Sequence, residues 1–256
     1  MQTLFTNYRK GNGICMKIKL TGTGSITATQ LAASALIDDR LLIDCGNGLL
    51  KHLMSHDIDI YKIDTILITH LHADHFFDLP FIILLRSFTS VENDLMIYGP
   101  LGTKKAVYKL FEVGYSDIKD VDSYLDKGRT NIIEYTNTRI VDEHYLIKTY
   151  EVDHGEFSPA YGFTVSDGVV TIGYSGDSKR CENIDMIVQS SDISILDCSF
   201  VTGNKSHMGV NDIEDLIDEY DKEIVVTHLS NEARQKALES KEDKLLVVED
   251  MCEIVL

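Results

Sequence analysis

The chain has 256 residues, 44% of them hydrophobic, which is enough for a sizeable core in one large domain or two small ones. Its formal net charge of −17 argues against a broad basic face for nucleic acid, although a local basic strip is compatible with it. The five cysteines (Cys15, Cys45, Cys181, Cys198, Cys252) are odd in number, scattered and without a CxxC pair. That disfavours a disulfide framework or a cysteine zinc site and fits a reducing cytosol.

Residues 1–13 are polar and lack the apolar core of a signal peptide. The longest strongly apolar stretch, Leu79 to Leu85, is too short to span a bilayer. With three prolines and no low-complexity linker, the sequence reads as a single domain over 1–256. Residues 1–15 read as a loose leader ahead of Met16.

Lys17–Leu20 alternates as a first strand, and Thr21-Gly22-Thr23-Gly24-Ser25 follows as a glycine turn. Such a turn can cradle phosphate, but a tight turn is the favoured reading. Ala33–Ile37 and Leu41–Ile43 predict a hairpin around Asp38-Asp39-Arg40, and Cys45-Gly46-Asn47-Gly48 turns into a helix over Leu49–His56. The apolar, β-branched run Asp64–Ile68 predicts a buried strand.

Directly after it comes Thr69-His70-Leu71-His72-Ala73-Asp74-His75. His70 and His72, two apart on extended chain, leave on one side and can grip one cation. Asp74 and His75 follow where the chain turns and can point back toward a second. Neutral imidazole suits zinc and its neighbours, and neither packing nor solubility explains three histidines and a carboxylate within six positions.

Asp78 reads as an N-cap, with Pro80 in the first turn of a helix running to Phe88. Leu95–Gly99 predicts a strand and Lys104–Val113 a helix, while Gly114–Arg129 is polar with weak periodicity. Asn131–Tyr135 and Tyr145–Val152 predict strands, the second leading into His154 and a loop over Glu156–Pro159. A strand at Val169–Tyr174 ends in Ser175-Gly176-Asp177-Ser178, and one at Asp192–Leu196 ends in Asp197-Cys198-Ser199. A polar loop containing His207 precedes an amphipathic helix at Val210–Tyr220, and a strand at Glu223–Thr227 runs into His228. The tail predicts a helix and then a strand at Leu245–Val248. His52 and His56 read as a solvated helix face.

HxHxDH after an apolar strand resembles the signature of the metallo-β-lactamase fold superfamily, and LLIDCGNG resembles its second motif. The resemblance runs from about residue 17 to 250, with motifs in family order. It implies an α/β fold, a four-layer αββα sandwich. It also implies a metal centre of His70, His72, Asp74, His75, His154, Asp177 and His228, with Asp177 bridging two divalent ions. Those ions are zinc in the first instance, manganese or iron as alternatives. By the same resemblance Asp44 orients a ligand histidine. An aspartate at position 177, where lactamases carry cysteine, points to the branch of phosphodiesterases, RNA-processing nucleases and thioesterases. HLHADHFFDLP and a helix-opening His207 are similar to the ribonuclease Z-like group, in which that histidine contacts the substrate phosphate.

One departure is plain. Bacterial tRNA-processing members carry a long arm between the positions matching His154 and Asp177, and here 22 residues separate the two. Together with the acid excess this disfavours tRNA and favours a small phosphodiester or a short nucleic-acid end. The expected enzyme is therefore a cytoplasmic, binuclear metal-dependent phosphodiesterase. A water shared by the two ions, acidified to a pKa near ~7, attacks phosphorus in line, with Asp74 and His207 moving protons. A thioesterase or lactone-type hydrolase with the same centre is the alternative, and a non-enzymatic metal-stabilised scaffold a third. Dimerisation is common in the family, but no stretch of this chain argues for it, and nothing points to a membrane.

Overall fold

The computed structural model describes residues 3–5, 16–136 and 138–256. Except for a strand at Thr3–Phe5, the leader expected at 1–15 lies outside the described residues. The chain resolves into two compact units. A terminal unit combines Met1–Ala33 with Asn137–Leu256, and a middle unit is Ser34–Thr136. Among the described residues no helix is long and apolar enough to cross a membrane.

The terminal unit opens with β1 (Thr3–Phe5) and β2 (Lys17–Gly22). In the middle unit, β3 (Ser34–Ile37) and β4 (Leu41–Ile43) form the expected hairpin. Asp38 and Asp39 at its tip have φ of 48° and 57°, a left-handed pair in a tight turn closed by the Arg40 amide on the Ile37 carbonyl at 3.0 Å. Helix α1 (Leu49–Ser55), strand β5 (Thr65–Leu67), the short α2 (Ala73–Phe76) and α3 (Leu79–Ser87) follow. Then come β6 (Leu95–Pro100), α4 (Thr103–Gly114), α5 (Val121–Lys127) and β7 (Thr130–Tyr135). The strands lie in the order β3-β4-β5-β6-β7, parallel from β4 onward. All three residues of β4 and of β5 are buried, as parallel strands covered on both faces require.

Two expectations change here. Asp78 stands at the N-cap of α3 but makes no cap bond to it. Its carboxylate instead accepts from the amides of Gly48 (3.0 Å) and Leu50 (2.9 Å), so it caps α1, the helix whose first turn has no acid of its own. The polar stretch 114–129 contains α5, started by Asp120, whose side chain accepts from the Ser123 amide at 3.1 Å.

The rest of the terminal unit begins with β8 (Arg139–Val141), β9 (Leu146–His154), β10 (Phe157–Ser166) and β11 (Thr171–Tyr174). Helix and strand then alternate. They are α6 (Glu182–Ser190), β12 (Ile193–Asp197), α7 (Val210–Tyr220), β13 (Ile224–Thr227), α8 (Asn231–Leu238), β14 (Leu245–Val247) and β15 (Cys252–Val255). A seven-stranded sheet has the order β14-β13-β12-β11-β10-β9-β8, parallel from β11 to β14 and antiparallel over the remainder. β15 pairs with β1 on one edge and β2 on the other. The core beside the seven-stranded sheet joins Leu196, Ile224 and Val226 to Ile184 and Ile187 of α6, Ile213, Leu216 and Ile217 of α7, and Ala233 and Ala237 of α8. The i, i+3, i+4 spacing on each helix turns one apolar face onto the strands.

Of the segment expected as a loop at 156–159, Glu156 is in a turn and 157–159 start β10, which bulges between Phe157 and Ala160 before pairing in register with β9. β8, β15 and α6 are further elements that periodicity did not reveal.

Candidate metal centre

In the middle unit the donors gather at the carboxyl ends of parallel strands, where α/β sheets place their ligands. β4 delivers Asp44 and β5 delivers Thr69 and His70. Asp44 is fully buried, with φ of 61°. Its Oδ1 accepts from the Thr69 amide at 2.8 Å, its Oδ2 from Thr69 Oγ1 at 2.9 Å, and its Oδ2 lies 2.8 Å from His75 Nδ1. Burial pushes the Asp44 carboxyl up, against the opposing pull of His75 and Thr69. Thr69 Oγ1 gives its hydrogen to Asp44 and so accepts from His70 Nδ1 at 3.0 Å.

One buried carboxylate thus sets two rings. With the ring proton on Nδ1, the Nε2 atoms of His70 and His75 keep a lone pair. His70 Nε2 stands 3.0 Å from His72 Nδ1, and His75 Nε2 stands 3.6 Å from Asp74 Oδ2. His70 and His75 are buried, Asp74 nearly so, and His72 is half-buried.

The loop is fastened to this motif by its backbone. The Cys45 amide donates to the His75 carbonyl at 2.7 Å, and the Asp78 amide to the Cys45 carbonyl at 3.0 Å. Gly46 is obligatory, because a Cβ there would sit 1.8 Å from the Asp74 carbonyl oxygen.

The terminal unit repeats the device. His154 ends β9, Asp177 follows β11, Asp197 ends β12 and His228 follows β13. His154 Nδ1 donates to the Ser206 carbonyl at 3.0 Å, and its Nε2 lies 3.9 Å from Asp177 Oδ2. Ser199 Oγ donates to Asp197 Oδ1 at 2.6 Å and so accepts from His228 Nδ1 at 2.7 Å. His228 Nε2 is 3.3 Å from Asp177 Oδ2. His207 Nδ1 lies 2.8 Å from Asp197 Oδ2, and its ring stacks on that of His228 with centroids 5.5 Å apart. Asn204 shapes the His207 loop, its Oδ1 accepting from the amides of Ser206 (2.8 Å) and His207 (2.9 Å). Asp177, His207 and His228 offer ligand atoms all within 4.8 Å of one another.

Asp197 and Ser199 join this cluster without having been announced by the sequence. They occupy an ordinary strand end, and their partners lie eight to thirty-one residues away in the chain.

Both donor sets suit a divalent cation. Two ligands each about 2.0–2.2 Å from a tetrahedral zinc stand roughly 3.3–3.6 Å apart. The spacings of His228 to Asp177 (3.3 Å) and His75 to Asp74 (3.6 Å) match that separation.

Among curated proteins the chain is similar to ribonuclease Z of Methanosarcina acetivorans, 28% identical over 155 residues, which is 59% of this chain and 48% of that protein. The match thus spans about half of that relative's length. Ribonuclease Z of Bacillus licheniformis is 24% identical over 245 residues, 74% of this chain and 77% of the relative. Among solved structures, a metallo-β-lactamase fold protein of Bacillus subtilis superposes with a TM-score of 0.76 at 20% identity, covering 95% of this chain and 100% of that one. The α/β metallo-β-lactamase fold and its ribonuclease Z-like branch, expected from the motifs, are therefore this chain's fold and branch. Residues 16–252 match the family model described as anti-Pycsar protein Apyc1, and the chain belongs to that family.

Proposed function

We propose that the chain is a binuclear metal-dependent phosphodiesterase, a single hydrolase domain. His70, His72 and His154 hold a first cation, Asp74, His75 and His228 a second, and Asp177 both. The observation that carries the reading is the direction of the histidine hydrogen bonds. On His70, His75, His154 and His228, Nδ1 donates to a protein oxygen, which leaves Nε2 as an acceptor for metal. Zinc is the first candidate for this nitrogen-rich set, with manganese and iron as alternatives. Bound cations would supply a water acidified to a pKa of about 7 and neutralise charge on a phosphoryl group.

The chain's own groups do the rest. Asp44 holds the His75 ring directly and the His70 ring through Thr69. Asp197 holds His207 by Nδ1, so that its Nε2 can meet a phosphate oxygen or protonate the leaving alkoxide. Asp74 can carry a proton away from the attacking water.

The curated relatives are named as ribonucleases, which supports a phosphodiester substrate. The acidic charge and the 22-residue interval between His154 and Asp177 favour a small diester or a short nucleic-acid end over tRNA.

The test joins metal analysis to a substrate panel. Bis-p-nitrophenyl phosphate, cyclic nucleotides, nucleoside phosphodiesters, precursor tRNA and a thioester are offered to metal-reconstituted protein. Two metal equivalents and turnover of diesters are expected. Activity that survives His72→Ala or Asp177→Ala would refute the assignment. Turnover of the thioester alone would replace it with the thioesterase reading.

A further inference from the structure

The turn Thr21–Ser25 cannot cradle a phosphate, because its amides are spent. The Thr23 amide donates to Asp250 Oδ1 at 2.9 Å, the Gly24 amide to the Leu31 carbonyl at 2.8 Å, and the Ser25 amide to the Leu229 carbonyl at 3.1 Å. At its start, Gly22 lets chain 31–32 pass so closely that a Cβ would lie 2.0 Å from the Ala32 carbonyl oxygen. The tight turn is thus the observed state, and its contacts point to a purpose.

Leu229, the residue after His228, is gripped on both backbone sides by this turn. Its amide donates to the Thr23 carbonyl at 3.0 Å, and its carbonyl accepts from Ser25. Thr23 is fixed in its turn. Its hydroxyl donates to Asp250 Oδ1 at 2.8 Å and accepts from Arg234 Nη2 at 2.6 Å. Asp250 Oδ2 also accepts from the Leu31 amide at 2.8 Å, and Arg234 Nη1 donates to the Val248 carbonyl at 3.0 Å. The guanidinium is buried, and Arg234 belongs to α8, the helix that begins just after His228. His228 has φ of 55°, a conformation a non-glycine residue keeps only where its surroundings over-determine it. Ser199 holds the ring and the pinned turn holds the backbone beyond it.

We infer that Arg234, Thr23 and Asp250 form a positioning network that aims His228 at its metal. This rests on His228 being a ligand, as proposed above. The network touches no donor atom; it sets the direction in which the chain leaves β13.

Thr23→Val removes the hydroxyl and keeps the shape, and Thr23→Ser restores it. Each variant, with Asp250→Asn and His228→Ala, is titrated with zinc against a competing chelator, resolving two binding steps on protein shown to be folded by circular dichroism. One step is expected to weaken by roughly tenfold or more in Thr23→Val and Asp250→Asn, the other to stay, and Thr23→Ser to match wild type. Wild-type affinities in Thr23→Val and Asp250→Asn, with one step lost in His228→Ala, would overturn the network and leave the metal centre standing. Equal weakening of both steps, in line with lost stability of the metal-free protein, would also overturn it. Should Thr23→Val not fold, Asp250→Asn and Thr23→Ser decide by the same measure. Two intact steps in His228→Ala would instead remove the metal reading itself.

Discussion

Asp44 shows how much one side chain can carry. Its carboxylate takes the Thr69 amide, the Thr69 hydroxyl and the His75 ring at once. Asp44→Ala leaves these buried donors without acceptors, each costing about 1–3 kcal/mol, so urea unfolding of the metal-free variant should show several kcal/mol lost. Where it folds, metal affinity should drop by about 10- to 100-fold. His207 separates from the ligands by function: His207→Asn is expected to retain both metals while kcat falls by about 10²–10⁴, read by metal analysis beside diester hydrolysis. Burial pushes the thiols of Cys45 and Cys198 up, so both stay protonated and out of reach at about pH 8. Iodoacetamide should label them only after unfolding, as peptide mass spectrometry would show. The seven proposed ligands stood out in the sequence because they crowd in one motif or close a strand in family order. Asp197 and Ser199 did not, because a strand-end aspartate and serine mean nothing until the fold brings His207 and His228 to them.

Elements were legible where one period held over their length. Val210–Tyr220, with apolar residues at 210, 213, 216 and 217, has the same bounds in sequence and structure. The misses have physical causes. β10 begins with a bulge and a proline, β8 and β15 are only three and four residues long, and α5 buries just two residues beneath a polar surface. Asp78 was placed correctly and misjudged in role, since tertiary contact gave its carboxylate to α1 rather than to its own helix. Burial raises that carboxyl above the usual range despite two amide bonds. A raised native value means the neutral form is favoured in the fold. Its contribution is therefore largest below the unfolded value near pH ~4 and falls as pH rises through the native one. Asp78→Asn should flatten that part of the stability–pH curve, while Asp78→Ala should flatten it as well and in addition cost about 0.5–2 kcal/mol through the lost cap. Denaturant melts of the metal-free protein across that range check both.

At the scale of the molecule, the two divalent cations proposed would still leave the net charge clearly negative, which argues against a broad polyanion-binding face. Metal should matter more to stability. A ligand at a hundredfold its Kd adds about 2.7 kcal/mol, and a chain of this length shifts by roughly 2–4 °C per kcal/mol. Chelation is thus expected to lower Tm by about 5 °C or more for each ion lost, in calorimetry at fixed pH. The acidity has a second use. Among the described residues, five of the eight non-glycine positions with left-handed φ are aspartates: Asp38, Asp39, Asp44, Asp57 and Asp221. Aspartate tolerates that corner of backbone space better than most side chains do. Charge and bending are entangled here. An engineer who replaced these residues with lysine or glutamate would unlatch the corners, whereas asparagine or glycine would discharge Asp38, Asp39, Asp57 and Asp221 and leave the chain's path intact.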